Sequence, residues 1–297
     1  MSNRSIYGFG EIVFDIIFKN QQVIKSNPGG SVLNSLMSLG ALKHKPYLIS
    51  LLSNDELGIS IKKHLTERSV NVDYLSLTSR KTKIALAFLD QNCNADYVFY
   101  SDKEVDFQIS TVPIKSQDIL LFGSQAAVLP ENRECLSQLL NAAKQAGSLS
   151  VYDPNIRPGA LQHITQWKNI VFENIRMSNI VRGSVDDFFH LFGTKDTEEV
   201  YRQVYDIGCQ TVIVTNAEKK LVVYSGHEKI IFEVPAISPL STIGAGDTFN
   251  AGLIHMLIQK NVFVHDLKTL SGDLWREILS FATGCAEKVC LSENNYL

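Results

Sequence analysis

Short apolar runs alternate along this chain with stretches in which apolar residues recur every three or four positions, the pattern of buried strands between amphipathic helices. Ile6 to Phe9, Pro46 to Leu52, Asp118 to Phe122, Leu149 to Tyr152 and Thr211 to Thr215 read as strands. Helical periodicity fills Ser31 to Leu39, which Gly40 is expected to cap, Leu57 to Glu67, and Glu131 to Gln145 ahead of Gly147. A further helix-like run covers Phe249 to Leu257. Strands that are apolar throughout, spaced by helices, predict a mostly parallel sheet covered on both faces with right-handed crossovers.

Two stretches break the rhythm. Glu11 to Lys25 and Thr82 to Tyr100 are rich in β-branched and aromatic residues around hairpin-like centres, Lys19-Asn-Gln-Gln22 and Asp90-Gln-Asn-Cys-Asn94. Paired with each other, they would form a small sheet projecting from the main one, suited to act as a lid. No repeat, low-complexity tract or long linker divides the chain, so one unit is expected.

Composition narrows the class of protein. In 297 residues, 45% are hydrophobic, and no run approaches the length of a membrane span. The opening Met1-Ser-Asn-Arg-Ser5 carries no apolar signal core, which predicts a cytoplasmic protein. A net charge of −3 with interspersed signs provides no basic stripe, so no nucleic-acid partner is expected. The five cysteines include no Cys-x-x-Cys pair, which argues for reduced structural thiols over a disulfide scaffold or zinc site.

The most informative segment is Ser241-Thr-Ile-Gly-Ala-Gly-Asp-Thr-Phe-Asn-Ala-Gly252. Gly244, Ala245 and Gly246 leave room for a polyphosphate beside the first helical N–H groups, which have no intrahelical partner and sit at the positive end of the helix dipole. Asp247 is placed to take a proton from an alcohol that attacks the bound phosphate. A glycine-rich turn followed by a capping aspartate explains the same residues without a ligand. A second glycine element, Asn27-Pro-Gly-Gly-Ser-Val-Leu-Asn34, precedes the first helix. Gly29 and Gly30 let a ligand lie against the backbone, and Asn34 offers donors and an acceptor that suit sugar hydroxyls, although taken alone the element reads slightly better as an ordinary turn with a polar surface residue. Asp15, at the end of a β segment, could clasp vicinal hydroxyls.

Taken in order, Gly10-Glu11-Ile-Val-Phe-Asp15, Gly29-Gly30-Ser-Val-Leu-Asn34, Asp153-Pro-Asn-Ile-Arg157 and Thr242-Ile-Gly-Ala-Gly-Asp247 resemble the ribokinase-like (pfkB-type) carbohydrate kinases over nearly the whole chain. Gly-Glu and Asp-Pro-Asn-x-Arg look most like the fructokinase branch. The resemblance implies a three-layer α/β fold with a mostly parallel central sheet flanked by helices, one kinase domain over 1–297, and a small β lid from about 11–27 and 82–108. It implies an ATP-dependent kinase in which Asp247 is the base, the Gly244, Ala245 and Gly246 amides form the anion hole, and Asp15, Gly29, Gly30 and Asn34 bind the sugar. The nucleotide is expected near Thr215, Asn216, Ala217 and Thr242, under the helix that holds Thr283 and Gly284, with Mg²⁺ arriving on ATP. Arg157 would contact substrate or phosphate, or else form a structural ion pair.

The chain departs from the family pattern in places. Ser184-Val-Asp-Asp187 stands where Asn-x-x-Glu is common, which leaves Asp187 an indirect role near Mg²⁺ through water. Ser241 replaces an aspartate used by members that a monovalent cation activates, so no potassium dependence is assumed. The end of the strand at Val214 to Lys220 lacks the glycine pair common in the nucleotide loop. The leading reading is a sugar kinase acting on fructose or a related ketose. A nucleoside or sugar-acid kinase and a catalytically weak sugar- or nucleotide-binding regulator are the alternatives. A dinucleotide-dependent dehydrogenase fails because Val13 stands where Gly8-Phe-Gly10 would need its third glycine. The unpaired edges of a lid sheet predict a homodimer formed through it.

Overall fold

A computed structural model describes residues 4–91, 95–102, 107, 111–156, 164–216, 220–226 and 228–297. At its centre, β1 (Ile6–Phe9) lies between β8 (Ile119–Gly123) and β4 (Tyr47–Ser53), parallel to both. Beyond β4 lies β5 (Leu75–Thr78), and beyond β8 come β9 (Leu149–Asp153), β10 (Ile180–Ser184) and β11 (Thr211–Thr215), all in parallel register. An antiparallel hairpin, β12 (Lys220–Ser225) and β13 (Glu228–Glu233), extends that edge to complete a nine-stranded sheet.

Alternate strand residues feed two apolar cores. Ile119 and Leu121 pack with α1 (Ser31–Ala41), α2 (Glu56–Glu67), α7 (Ala245–Gln259) and α8 (Gly272–Cys290). Leu120 and Phe122 pack with α3 (Arg133–Ala146), α4 (Ile164–Arg176), α5 (Val185–Phe192) and α6 (Thr197–Ile207) on the other face. Each such side chain, fully buried, contributes roughly 1.5–3 kcal/mol, so packing rather than helix propensity holds these layers. The result is the expected three-layer α/β arrangement.

The smaller sheet also forms as expected. Its order is β3 (Gln22–Gly29), β2 (Val13–Lys19), β6 (Ile84–Leu89) and β7 (Ala95–Tyr100). Asn20 and Gln21, both at positive φ, make the tight turn between β2 and β3, whereas 92–94 of the other expected turn lie outside the described residues. Asp55, the N-cap of α2, accepts from the backbone and hydroxyl of Thr82 at 2.8 and 2.6 Å and ties the root of β6 to the main body.

Gly40 is not a helix cap. α1 continues to Ala41 with Gly40 inside it, and a glycine is needed there because a β-carbon would stand 2.0 Å from the Arg68 carbonyl oxygen. Gly147 does end α3, in the left-handed conformation at φ 72°. Among the described residues, Cys135, Cys209, Cys285 and Cys290 are free and buried; Cys93 lies outside them. No helix among the described residues is long and apolar enough to cross a membrane.

Candidate active site

The Thr242 to Asp247 turn enters α7 through Gly244, the N-cap, at φ 79°. Its glycines are demanded first by the protein itself. A β-carbon on Gly244 would lie 1.9 Å from the Asn295 carbonyl oxygen, and one on Gly246 would lie 2.7 Å from Arg182 Nη1. Asp247, one turn into the helix, is buried and fixed by α1: Ser31 Oγ donates to Oδ1 at 2.7 Å, Asn34 Nδ2 donates to Oδ2 at 2.9 Å, and Ser35 Oγ donates to the Asp247 carbonyl at 2.8 Å. The two glycine elements, far apart in sequence, therefore meet at one carboxylate.

The Asn34 amide nitrogen is committed to Asp247, whereas its buried Oδ1 has no hydrogen-bond partner within the protein. A buried oxygen without a partner costs stability and is suited to accept from a bound hydroxyl. Asp15 is buried on β2 and accepts from Asn295 Nδ2 at 3.3 Å. Gly29 differs from its expected role: the space it leaves is filled by the Asp15 carboxylate, only 2.0 Å from where a β-carbon would stand. Gly30, at φ 124°, is the N-cap of α1 and lies against the Glu11 carbonyl.

Around Asp247 opens a cavity of about 120 Å³ between the body and the small sheet. Glu11, Asp15, Asn34 and Asp247 form its polar side, and Phe99 and Trp167 belong to its apolar side. Glu11 accepts from Lys83 Nζ at 2.6 Å; Lys83 also donates to Gln125 Oε1 at 2.8 Å and stands 5.0 Å over the Phe99 ring, so its charge is spent within the wall. A larger cavity, about 550 Å³, opens on the other side of the same turn. Thr215, Asn216, Thr242, Ala245, Gly246 and Thr283 line it, and the buried Thr283 hydroxyl has no protein partner. Gly284 does not line it; a β-carbon there would meet nothing within 4 Å.

Several residues that sequence reasoning passed over belong to this region. Ser31 holds Asp247, and Arg182 in the middle of β10 donates to Asp153 Oδ2 and Thr215 Oγ1, each at 2.9 Å. Complete burial pushes the Asp153 carboxyl above its ordinary range, while Arg182 and the Asn250 amide, which donates at 2.6 Å, pull the other way. Asp187 has a different occupation from the one its position suggested: it closes a capping box with Ser184 at the start of α5 and accepts from the Ile156 amide at 2.6 Å. No group of three or more His, Cys, Asp or Glu side chains among the described residues could hold a metal ion. Arg157 and Ala217 lie outside the described residues.

Residues 4–296 match the model of the pfkB family carbohydrate kinases. The chain is 25% identical over 259 residues to an ATP-dependent 6-phosphofructokinase of Thermoanaerobacterium thermosaccharolyticum, covering 84% of this chain and 80% of that protein. It is 24% identical over 260 residues to a fructokinase of Vibrio alginolyticus, covering 86% and 84%. In fold it is similar to the fructokinase of Vibrio cholerae O395 solved with fructose, ADP and calcium ion, at a TM-score of 0.86 and 21% identity over 99% of this chain and 95% of that one. With a family match that runs from the first strand to the penultimate residue, over a fold whose two glycine elements converge on one aspartate, the chain belongs to the pfkB family of carbohydrate kinases.

Proposed function

We propose that this protein transfers the terminal phosphoryl group of ATP to a hydroxyl of an uncharged sugar, a ketose such as fructose, with Asp247 as general base. The observation that carries this reading is that one turn faces both cavities. Gly244 and Asp247 border the smaller cavity, and Ala245 and Gly246 border the larger. Phosphates in the larger cavity meet the first amides of α7, while a hydroxyl in the smaller one meets the Asp247 carboxylate. In phosphoryl transfer such positioning, together with charge stabilisation, supplies most of the rate.

In this reading Asp15 and the Asn34 carbonyl oxygen accept from sugar hydroxyls, Gly30 shapes the floor while Gly29 makes room for the Asp15 carboxylate, and the small sheet closes over the sugar. Thr215, Asn216, Thr242 and Thr283 hold the nucleotide. Mg²⁺ arrives with ATP and neutralises its phosphates. Ser241 offers a hydroxyl where a carboxylate would hold a monovalent cation, so turnover is expected to be equal in sodium and potassium buffers.

The substrate charge follows from the wall. Three carboxylates, Glu11, Asp15 and Asp247, border the smaller cavity, and among the described residues that line it there is no lysine or arginine. That favours a free sugar over a sugar phosphate or sugar acid. We further propose a single cytoplasmic catalytic unit that dimerises through the lid, supported by the exposed apolar side chains Val23, Phe88, Val98 and Tyr100 on that sheet. A monomeric mass in solution scattering would remove the dimer. The main test is an ADP-release screen with fructose, fructose 6-phosphate, gluconate and nucleosides as acceptors. Fructose or another free ketose is expected to lead; ADP release with none of them overturns the kinase reading.

A further inference from the structure

Arg182 is a cation buried next to the anion hole, and its known partners do not exhaust it. Its side chain is 11% exposed. One terminal nitrogen donates to Asp153 Oδ2 and the other to Thr215 Oγ1, both at 2.9 Å, while Nε is buried with no protein partner. A guanidinium carries five N–H groups, so these contacts leave several unused. Its plane rests against the backbone of Gly246, where a β-carbon would meet Nη1 at 2.7 Å and Nη2 at 3.1 Å, and it stands 5.5 Å over the Phe249 ring. It also lines the larger cavity alongside Ser184, Thr215 and Ala245.

If Arg182 served only to neutralise Asp153, it would have no reason to border the larger cavity at the first turn of α7. We infer that Arg182 is a phosphate-binding residue of this enzyme: its guanidinium, held in place by Asp153 and Thr215, donates to the phosphates of the nucleotide as they approach the amides of Gly246 and Asp247. The glycine at 246 is then the residue that lets the guanidinium lie flush with the helix start. Charge builds on the transferring phosphoryl group during the reaction, and a fixed guanidinium at that point stabilises it more than a mobile lysine would. Asp153 acts at one remove: it is a positioning residue whose carboxylate aims the guanidinium, itself steadied by Asn250.

This inference rests on the kinase reading, and a double variant separates its own content from a simple counter-ion role. Arg182→Met alone strands the buried Asp153 charge and destabilises the fold. Asp153→Asn with Arg182→Met removes both charges together, and its melting temperature should return close to wild type. With ATP and fructose, that folded double variant is expected to stay at least about 100-fold below wild type in kcat/KM for ATP. Recovery to within about threefold would show that Arg182 serves Asp153 alone and would overturn the proposal. Arg182→Lys, which keeps a charge, provides a second measure: the KM for ATP should rise about tenfold or more while the KM for fructose stays within about twofold. Equal changes in both, or none, would also overturn it. Should wild type release no ADP with any acceptor, the kinase reading fails first; titration calorimetry with MgATP on wild type and Arg182→Lys then tests the phosphate contact by itself, with weaker binding expected in the variant and unchanged binding overturning it.

Discussion

Asn34 Nδ2 reaches Asp247 Oδ2 across 2.9 Å and links the start of α1 to the start of α7 through buried polar atoms. One side chain thus orients the proposed base with its nitrogen while its buried oxygen has no hydrogen-bond partner within the protein. Ser31 completes the hold from the other carboxylate oxygen.

Replacing Asp247 by Asn removes the proton acceptor and keeps the shape. Turnover is expected to fall by about 10²–10⁴-fold, with ATP affinity changed little. A coupled ADP-release assay alongside nucleotide titration checks this; equal turnover in the two proteins would end the assignment of Asp247 as base.

Asn34→Ala removes a support of Asp247 together with the oxygen proposed to accept from the substrate. The KM for the sugar is expected to rise more than the KM for ATP, with a smaller fall in kcat than Asp247→Asn produces. Steady-state kinetics with each substrate varied in turn decides, and a larger effect on ATP would move Asn34 out of the sugar site.

Gly244→Ala combines a left-handed backbone with a collision against the Asn295 carbonyl oxygen. The conformational part alone costs about 1–2 kcal/mol, and the collision adds to it. A clear drop in melting temperature with loss of activity is expected. Gly284→Ala, which meets open space inside α8, serves as the contrast and should be neutral or mildly stabilising.

The ring nitrogens of His44 and His255 lie 2.9 Å apart, and His255 stacks on Phe281. Burial first, and then the neighbouring imidazole, brings His44 down to about 4, and burial lowers His255 as well. Because the unfolded chain takes up these protons near the ordinary histidine value and the folded protein resists them, this contribution to stability is complete above about pH 6.5 and is lost as pH falls toward 4. Urea midpoints should therefore decline between pH 7 and pH 5, and His44→Gln should flatten that decline; an unchanged slope would show that the pair is not responsible.

Where sequence and structure agree, the signal was local. The Gly-Ala-Gly-Asp turn and the Gly-Gly-x-x-x-Asn element each lie within a few residues, and the strand and helix periods that flank them are set by nearest neighbours along the chain. What escaped was produced by distance. Arg182 reads as an ordinary charge within a strand until folding lays it against Gly246, and nothing near Asn295 announces that its amide will meet Asp15, 280 positions earlier. Gly29 and Gly40 were legible as glycines but not in purpose, since the group that needs the missing side chain belongs to another element in each case. Asp187 shows the converse: its capping box with Ser184 is written in adjacent residues.

The strand that bears Asp15 also bears Ile16 and Phe18 on its opposite face, and it pairs in parallel with β6, which places Leu86 and Phe88 beside them. A slip of one residue along β6 would exchange the two faces, sending a carboxylate to the surface and an isoleucine into the cavity proposed to hold the sugar. On its other side β2 pairs with β3, and the register shift between Ile17 and Phe18 in that pairing lies just past Asp15 and marks one register of the two strands. Chemical identity of the pocket is in this sense a matter of counting: it depends on the parity of one strand, and an insertion or deletion of a single residue in β2 would remove the Asp15 carboxylate from the cavity more surely than most substitutions at the pocket wall.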